Sequence, residues 1–316
     1  MSTMLDFENT HQRQLAMPAE QLRTTMAAVR VSIQWLGIQK TLTREQKSEA
    51  ADTFGAESAF LSAGKKLIDT SHPAFKVVTS IKGKIIGLWK AETLPFPEPG
   101  VRLIRQDRID SFNTRMQYLR EELEEAVWQL DEHFAELKSA ARERLGRLFN
   151  PTDYPASLRS MFAVTWDFPS VEPPSYLQAL NPELYQQECQ RVQSRFDEAV
   201  RMAEEAFTSE LAKLISHLTE RLSGQDDGRA KIFRDSAIEN LTEFFGRFRS
   251  LNIGSNEQLD NLVADAQRIV RGVEPQNLRD NAGLRQHVAT EMSRVQSVLD
   301  GLLVDRPRRN ILRRPK

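Results

Sequence analysis

Five histidines, one cysteine and a short run of glutamates are the residues of this chain that chemistry would use first. His11, His72, His133, His217 and His287 are spread so that no two lie close in sequence. Two histidines four apart on a helix aim two ligands the same way, as does Glu-x-x-His in a metal-binding bundle. No two histidines here stand four apart, and His217 with Glu220 have the reversed order and read as an ordinary polar pair. Cys189 is the only cysteine, which excludes a disulfide framework and any cysteine-based zinc or iron–sulfur site within one chain. Glu121, Glu122, Glu124 and Glu125 sit beside Arg120. Paired carboxylates divide acid and base roles only when their environments differ, and these fall on the water-facing side of a helix.

Nucleotide and hydrolase signatures are missing as well. Lys82-Gly83-Lys84-Ile85-Ile86-Gly87 carries glycines but lacks the spacing and the closing Ser or Thr of a phosphate-binding loop. Neither G-x-G-x-x-G nor G-x-S-x-G occurs. The sequence therefore assigns no catalytic residue, no cofactor and no metal ligand. An enzyme of unrecognised type stays open as an alternative, its site assembled from distant residues.

Binding features are easier to find. Between residues 65 and 90, Lys65, Lys66, Lys76, Lys82, Lys84 and Lys90 meet a single acid, Asp69. Lys76, Lys84 and Lys90 fall away from the apolar Val78/Ile81/Ile85 stripe, so they make one exposed face suited to phosphates. The C-terminal segment carries Arg306, Arg308, Arg309, Arg313, Arg314 and Lys316 with no acid and two prolines. Arginine forks of this kind fit phosphate and carboxylate groups alike, so the segment reads as a docking or nucleic-acid tail. A third candidate is Trp166-Asp167-Phe168-Pro169, where Trp166 and Phe168 form a proline-stiffened aromatic tip that seals a helix end or anchors an interface.

Helices must position all of these. Ile109, Phe112, Met116, Leu119, Leu123, Val127, Leu130, Phe134, Leu137, Ala141, Leu145 and Leu148 follow at steps of three or four, about 3.55 residues per step. Tyr185, Cys189, Val192, Phe196, Val200, Ala203, Phe207, Leu211, Leu214, Leu218 and Leu222 follow at about 3.7. Asn181-Pro182 starts the second run and Gly224 with Asp226-Asp227-Gly228 stops it. The expected fold is mainly α, an elongated bundle built on an antiparallel pair of long helices, about 107–149 and 182–223. Shorter helices are expected near 20–36, 43–63, 73–91, 229–251, 255–271 and 276–304. Alternation in Phe162–Phe168 and the run Val101–Ile104 predict two short strands and at most a small two-stranded element. The domain reading is 1–93, an N-terminal helical region; 94–224, the long hairpin; 225–304, a C-terminal helical region; and 305–316, a basic tail.

Composition narrows the class. Apolar residues make up 40% and charged residues 28% of 316, a balance that supports a packed core. The net charge of −1 leaves no global pull towards nucleic acid or membrane, so such binding needs a local patch. No apolar stretch approaches 18 residues and the N-terminus has no signal-like pattern, so the expectation is a cytoplasmic protein with no membrane association.

Residues 94–222 carry Leu94-Pro95-Phe96, Asp153-Tyr154-Pro155 and Met161-Phe162 in that order. In this the chain resembles an uncharacterised family of helical bacterial, plasmid and phage proteins. Members are often encoded beside a MoxR-type AAA+ ATPase and a von Willebrand A-domain protein. The resemblance implies an adaptor or substrate of an ATPase assembly and carries over no site residue. The leading reading is a non-enzymatic coiled-coil scaffold or adaptor with a protein partner, self-association left open. The alternative is a nucleic-acid-binding protein using the lysine face and the arginine tail.

Overall fold

Local capping chemistry sets the start of several helices in the computed structural model, which describes residues 18–223, 225–226, 229–230 and 235–304. Its elements run α1 (18–25), β1 (Met26–Gln34), β2 (Gln39–Thr41), α2 (Arg44–Thr53), β3 (Gly64–Lys66), α3 (Pro73–Ala91), β4 (Thr93–Pro95), β5 (Val101–Arg105) and α4 (Ile109–Glu132). They continue with α5 (Phe134–Leu145), β6 (Ala163–Asp167), α6 (Tyr176–Leu180), α7 (Pro182–Ser223), β7 (Gln225–Asp226), β8 (Arg229–Ala230), α8 (Ser236–Leu251), α9 (Glu257–Val270), α10 (Pro275–Asp280) and α11 (Ala282–Val304). Thr43 opens α2 with a reciprocal box: its hydroxyl accepts the Gln46 N–H at 3.2 Å, and the Gln46 carbonyl oxygen accepts the Thr43 N–H at 3.1 Å. Asn181, Asn256 and Asn281 do the same work for α7, α9 and α11, accepting the N–H of Leu184, Leu259 and Leu284 at 2.9–3.0 Å. The fold is mainly α, and no described helix is long and apolar enough to cross a membrane.

The chain divides into two compact units, each made of separated stretches. One holds the described residues up to Ala28, Glu92–Gln106, and those from Ser170 onward; the other holds Val29–Ala91 and Asp107–Pro169. In the first, α7 packs on α11, α8 and α9. Its seam from Val192 to Leu222 is buried, with Phe196 edge-on to Phe96 at 5.5 Å and Phe207 edge-on to Phe248 at 5.0 Å. In the second, α3 packs on α4. Phe75, Val78, Ile81, Ile85 and Leu88 are buried on α3, and Phe112, Met116, Leu123, Val127 and Leu130 on α4.

Several expectations are corrected. The two long helices were expected to pair with each other, but each finds its main partner inside its own unit: α3 for α4, and α11 for α7. A seam records that something apolar covers it, and shorter helices supply that cover here. The expected helix over 107–149 is interrupted at His133, whose φ/ψ of −88°/0° separates α4 from α5. Its N–H bonds to the Leu130 carbonyl, three residues back, which tightens the turn. The stretch 20–36 is a short helix followed by strand β1: Val29, Val31 and Ile33 alternate with Arg30, Ser32 and Gln34, and β-branching favours the strand. Helix 43–63 ends at Thr53, before Gly55 at φ +62°.

The sheet is larger than the two strands expected. Its order is β4-β5-β1-β6, with two further two-stranded pairs, β2–β3 and β7–β8. Strands β5 and β6 form where the sequence places them, yet they do not pair with each other. β5 pairs with β4, Leu103 opposite Leu94, and β6 with β1, Trp166 opposite Val31.

Candidate functional site

Helix α7 is 42 residues long, and only its later part has a core to lie on. From Val171 to Gln190 no residue is buried. Three large apolar side chains stand out in this stretch: Tyr176 at 63% exposed, Leu180 at 77% and Leu184 at 38%. Pro173 and Pro174 precede α6, the extended backbone of Asn181 ends it, and Pro182 begins α7, so local chemistry shapes the segment. A bidentate pair ties it down inside the same unit, with Arg23 donating from Nε and Nη2 to Glu172 at 2.7 and 2.5 Å. That hydrogen bond holds the Arg23 guanidinium above its ordinary value, against the opposing pull of desolvation. One turn into α7, a hydrogen bond with Cys189 pushes the Tyr185 phenol above its ordinary value. This surface presents large apolar side chains to water. It can bury apolar area against another protein. The sequence signal was available: Tyr176, Leu180 and Leu184 are apolar residues lying outside the Tyr185–Leu222 seam.

The lysines of residues 65–90 separate into different roles. Lys65 is buried, its ammonium donating to the Leu148 carbonyl at 2.5 Å and lying 2.7 Å from Asp153. Lys40 reaches the same carboxylate at 2.5 Å, and these bonds hold Asp153 below the usual carboxylate range. Lys82 lies 4.3 Å from the centre of the Trp35 ring, and Lys84 pairs with Glu122 at 2.5 Å. Lys76 and Lys90 stay exposed and pair with no carboxylate among the described residues. Between them on α3 run Ser80, Gly83 and Gly87, also exposed. Asp69, the one acid of this stretch, accepts from Arg144 at 2.5 Å and from Ser71, which hold its carboxyl well below the usual range.

Trp166 is engaged within its unit. Its indole N–H donates to Asn113 at 2.8 Å and Arg120 lies 5.7 Å from the ring centre, whereas Phe168 remains 40% exposed. The acidic run is surface pairing: Gln117 donates to Glu121 at 2.7 Å, Gln129 to Glu125 at 3.0 Å, and Arg120 lies 3.7 Å from Glu124. Arg306, Arg308, Arg309, Arg313, Arg314 and Lys316 lie outside the described residues. No group of three or more histidine, cysteine, aspartate or glutamate side chains among the described residues is placed to hold a metal ion.

No protein-family model, no curated protein and no solved structure matches this chain.

Proposed function

We propose that this protein is a non-enzymatic helical scaffold or adaptor that engages a partner protein through α6 and the first turns of α7. The observation that carries the reading is the stretch Val171–Gln190, in which no residue is fully buried and Tyr176, Leu180 and Leu184 face water. Fully burying a side chain of this size is worth about 1.5–3 kcal/mol, and tyrosine is among the side chains that most often anchor interfaces. The resemblance over residues 94–222 adds a candidate partner, a MoxR-type AAA+ ATPase. Lys76 and Lys90, exposed on α3 and pairing with no carboxylate among the described residues, support a second reading in which nucleic acid is bound.

One preparation separates the two. Tagged full-length protein is purified from its native cells with and without nuclease, beside the triple variant Tyr176→Ser, Leu180→Ser, Leu184→Ser. The adaptor reading expects a stoichiometric partner that survives nuclease and loses affinity at least about tenfold in the variant, roughly 1.4 kcal/mol. The variant's own stability should stay within about 1 kcal/mol of the wild type, because these positions are exposed. A partner held equally well by the variant, or only nucleic acid recovered, overturns it.

A further inference from the structure

We propose that His72 and His133 together hold a divalent transition-metal ion. They come from the two separate stretches of chain that make the second unit. His72 directly precedes α3, its carbonyl accepting the Lys76 N–H at 3.1 Å, and His133 is the single residue that breaks α4 from α5. Folding brings their rings to a centre-to-centre distance of 5.2 Å with the planes at 54°. An imidazole bound to zinc at about 2.0–2.1 Å has its centre roughly 3.2 Å from the metal, and two such rings at a tetrahedral angle have centres roughly 5.2 Å apart. The observed separation matches that of two rings sharing an ion, and it also falls in the range of ordinary ring contacts, so the ring nitrogens have to carry the case.

The surroundings fit the same reading. Nδ1 of His72 is buried and has no hydrogen-bond partner, an arrangement that costs free energy unless something occupies the lone pair. Nδ1 of His133 lies 3.7 Å from the Glu136 carboxylate, too far for a hydrogen bond but near enough to favour a cation beside the ring. Asp69 is not a competing ligand, since Ser71 and Arg144 occupy its carboxylate. The His133 side chain is half-exposed, so water completes the coordination of a site with two protein ligands. Two imidazoles select zinc, copper or nickel over magnesium or calcium. Ion binding would fix the start of α3 to the break in the α4–α5 rod.

The test is calorimetric titration of the full-length, metal-stripped protein with ZnCl2, repeated with MgCl2. One zinc ion per chain is expected, no magnesium, and a loss of affinity of at least about tenfold in each of His72→Gln and His133→Gln. His217→Gln and His287→Gln should bind zinc as the wild type does. No zinc binding, or binding untouched by both of the first two variants, overturns the proposal. Should His72→Gln fail to fold, diethyl pyrocarbonate labelling of the wild type answers the same question. Zinc should protect His72 and His133 selectively, and labelling that zinc leaves unchanged at both overturns it.

Discussion

Asp131 illustrates how single side chains fix this fold. Its carboxylate accepts the Leu158 N–H at 2.7 Å, the Ser157 hydroxyl at 2.9 Å and Arg159 Nε at 3.1 Å, so it pins the 157–159 turn to the end of α4. Burial pulls its pKa upward, and the three donors outweigh burial and leave it lowered. A carboxyl lowered in the folded state contributes stability above its unfolded value, about 3.9, and loses it as pH falls through the folded value. Asp131→Asn should therefore lower the melting temperature at pH 7. The gap to wild type should narrow as pH drops from about 5 towards 2, and a gap independent of pH would show that the charge contributes nothing. The four positions that carry this network, Asp131 and the 157–159 turn, are ordinary residues in sequence, and nothing local marks their convergence.

Helices and strands are where sequence and structure agree best. The start of α7 at Asn181-Pro182, the span of α3 and the strands at 101–105 and 163–167 all follow from capping and side-chain period, which act over a few residues. The break at His133 escaped because the apolar period runs through it: Leu130, Phe134 and Leu137 are all buried on either side. Helix α5 ends at Gly146, at φ +49° and ψ −121°, a conformation that a side chain strains. No atom lies within 4 Å of where its Cβ would be, so the backbone alone sets the cost of Gly146→Ala. That substitution should destabilise the protein by about 1–2 kcal/mol, read from urea denaturation at unchanged slope.

At the scale of the molecule, neither unit is a continuous stretch of chain. The partners of α7, namely α8, α9 and α11, follow residue 224, and α3, the partner of α4, precedes residue 94. A fragment covering 94–224 would expose both long apolar seams at once. It should show no cooperative thermal transition by circular dichroism, while the full chain does; a sharp melt of the fragment would mean that the long helices suffice for each other. The exposed stretch Val171–Gln190 belongs to this scale too. That Tyr176, Leu180 and Leu184 lie outside the seam is legible in the sequence; that no core covers them is seen only once the cores are assigned.

The sequence by itself determined the mainly α character, the extent of α7 and α3, and two strands, because periodicity, N-caps and prolines are read within one or two turns of chain. It also placed Phe112, Phe134, Phe196 and Phe207 in buried seams. Tertiary structure decided which element covers each seam, that β1 is a strand within a larger sheet, that Lys65 is buried on Asp153 and that His72 meets His133. The reason is physical: an apolar stripe fixes that burial must occur, but many surfaces satisfy it equally. The choice among them depends on shape and packing summed over residues far apart in the chain.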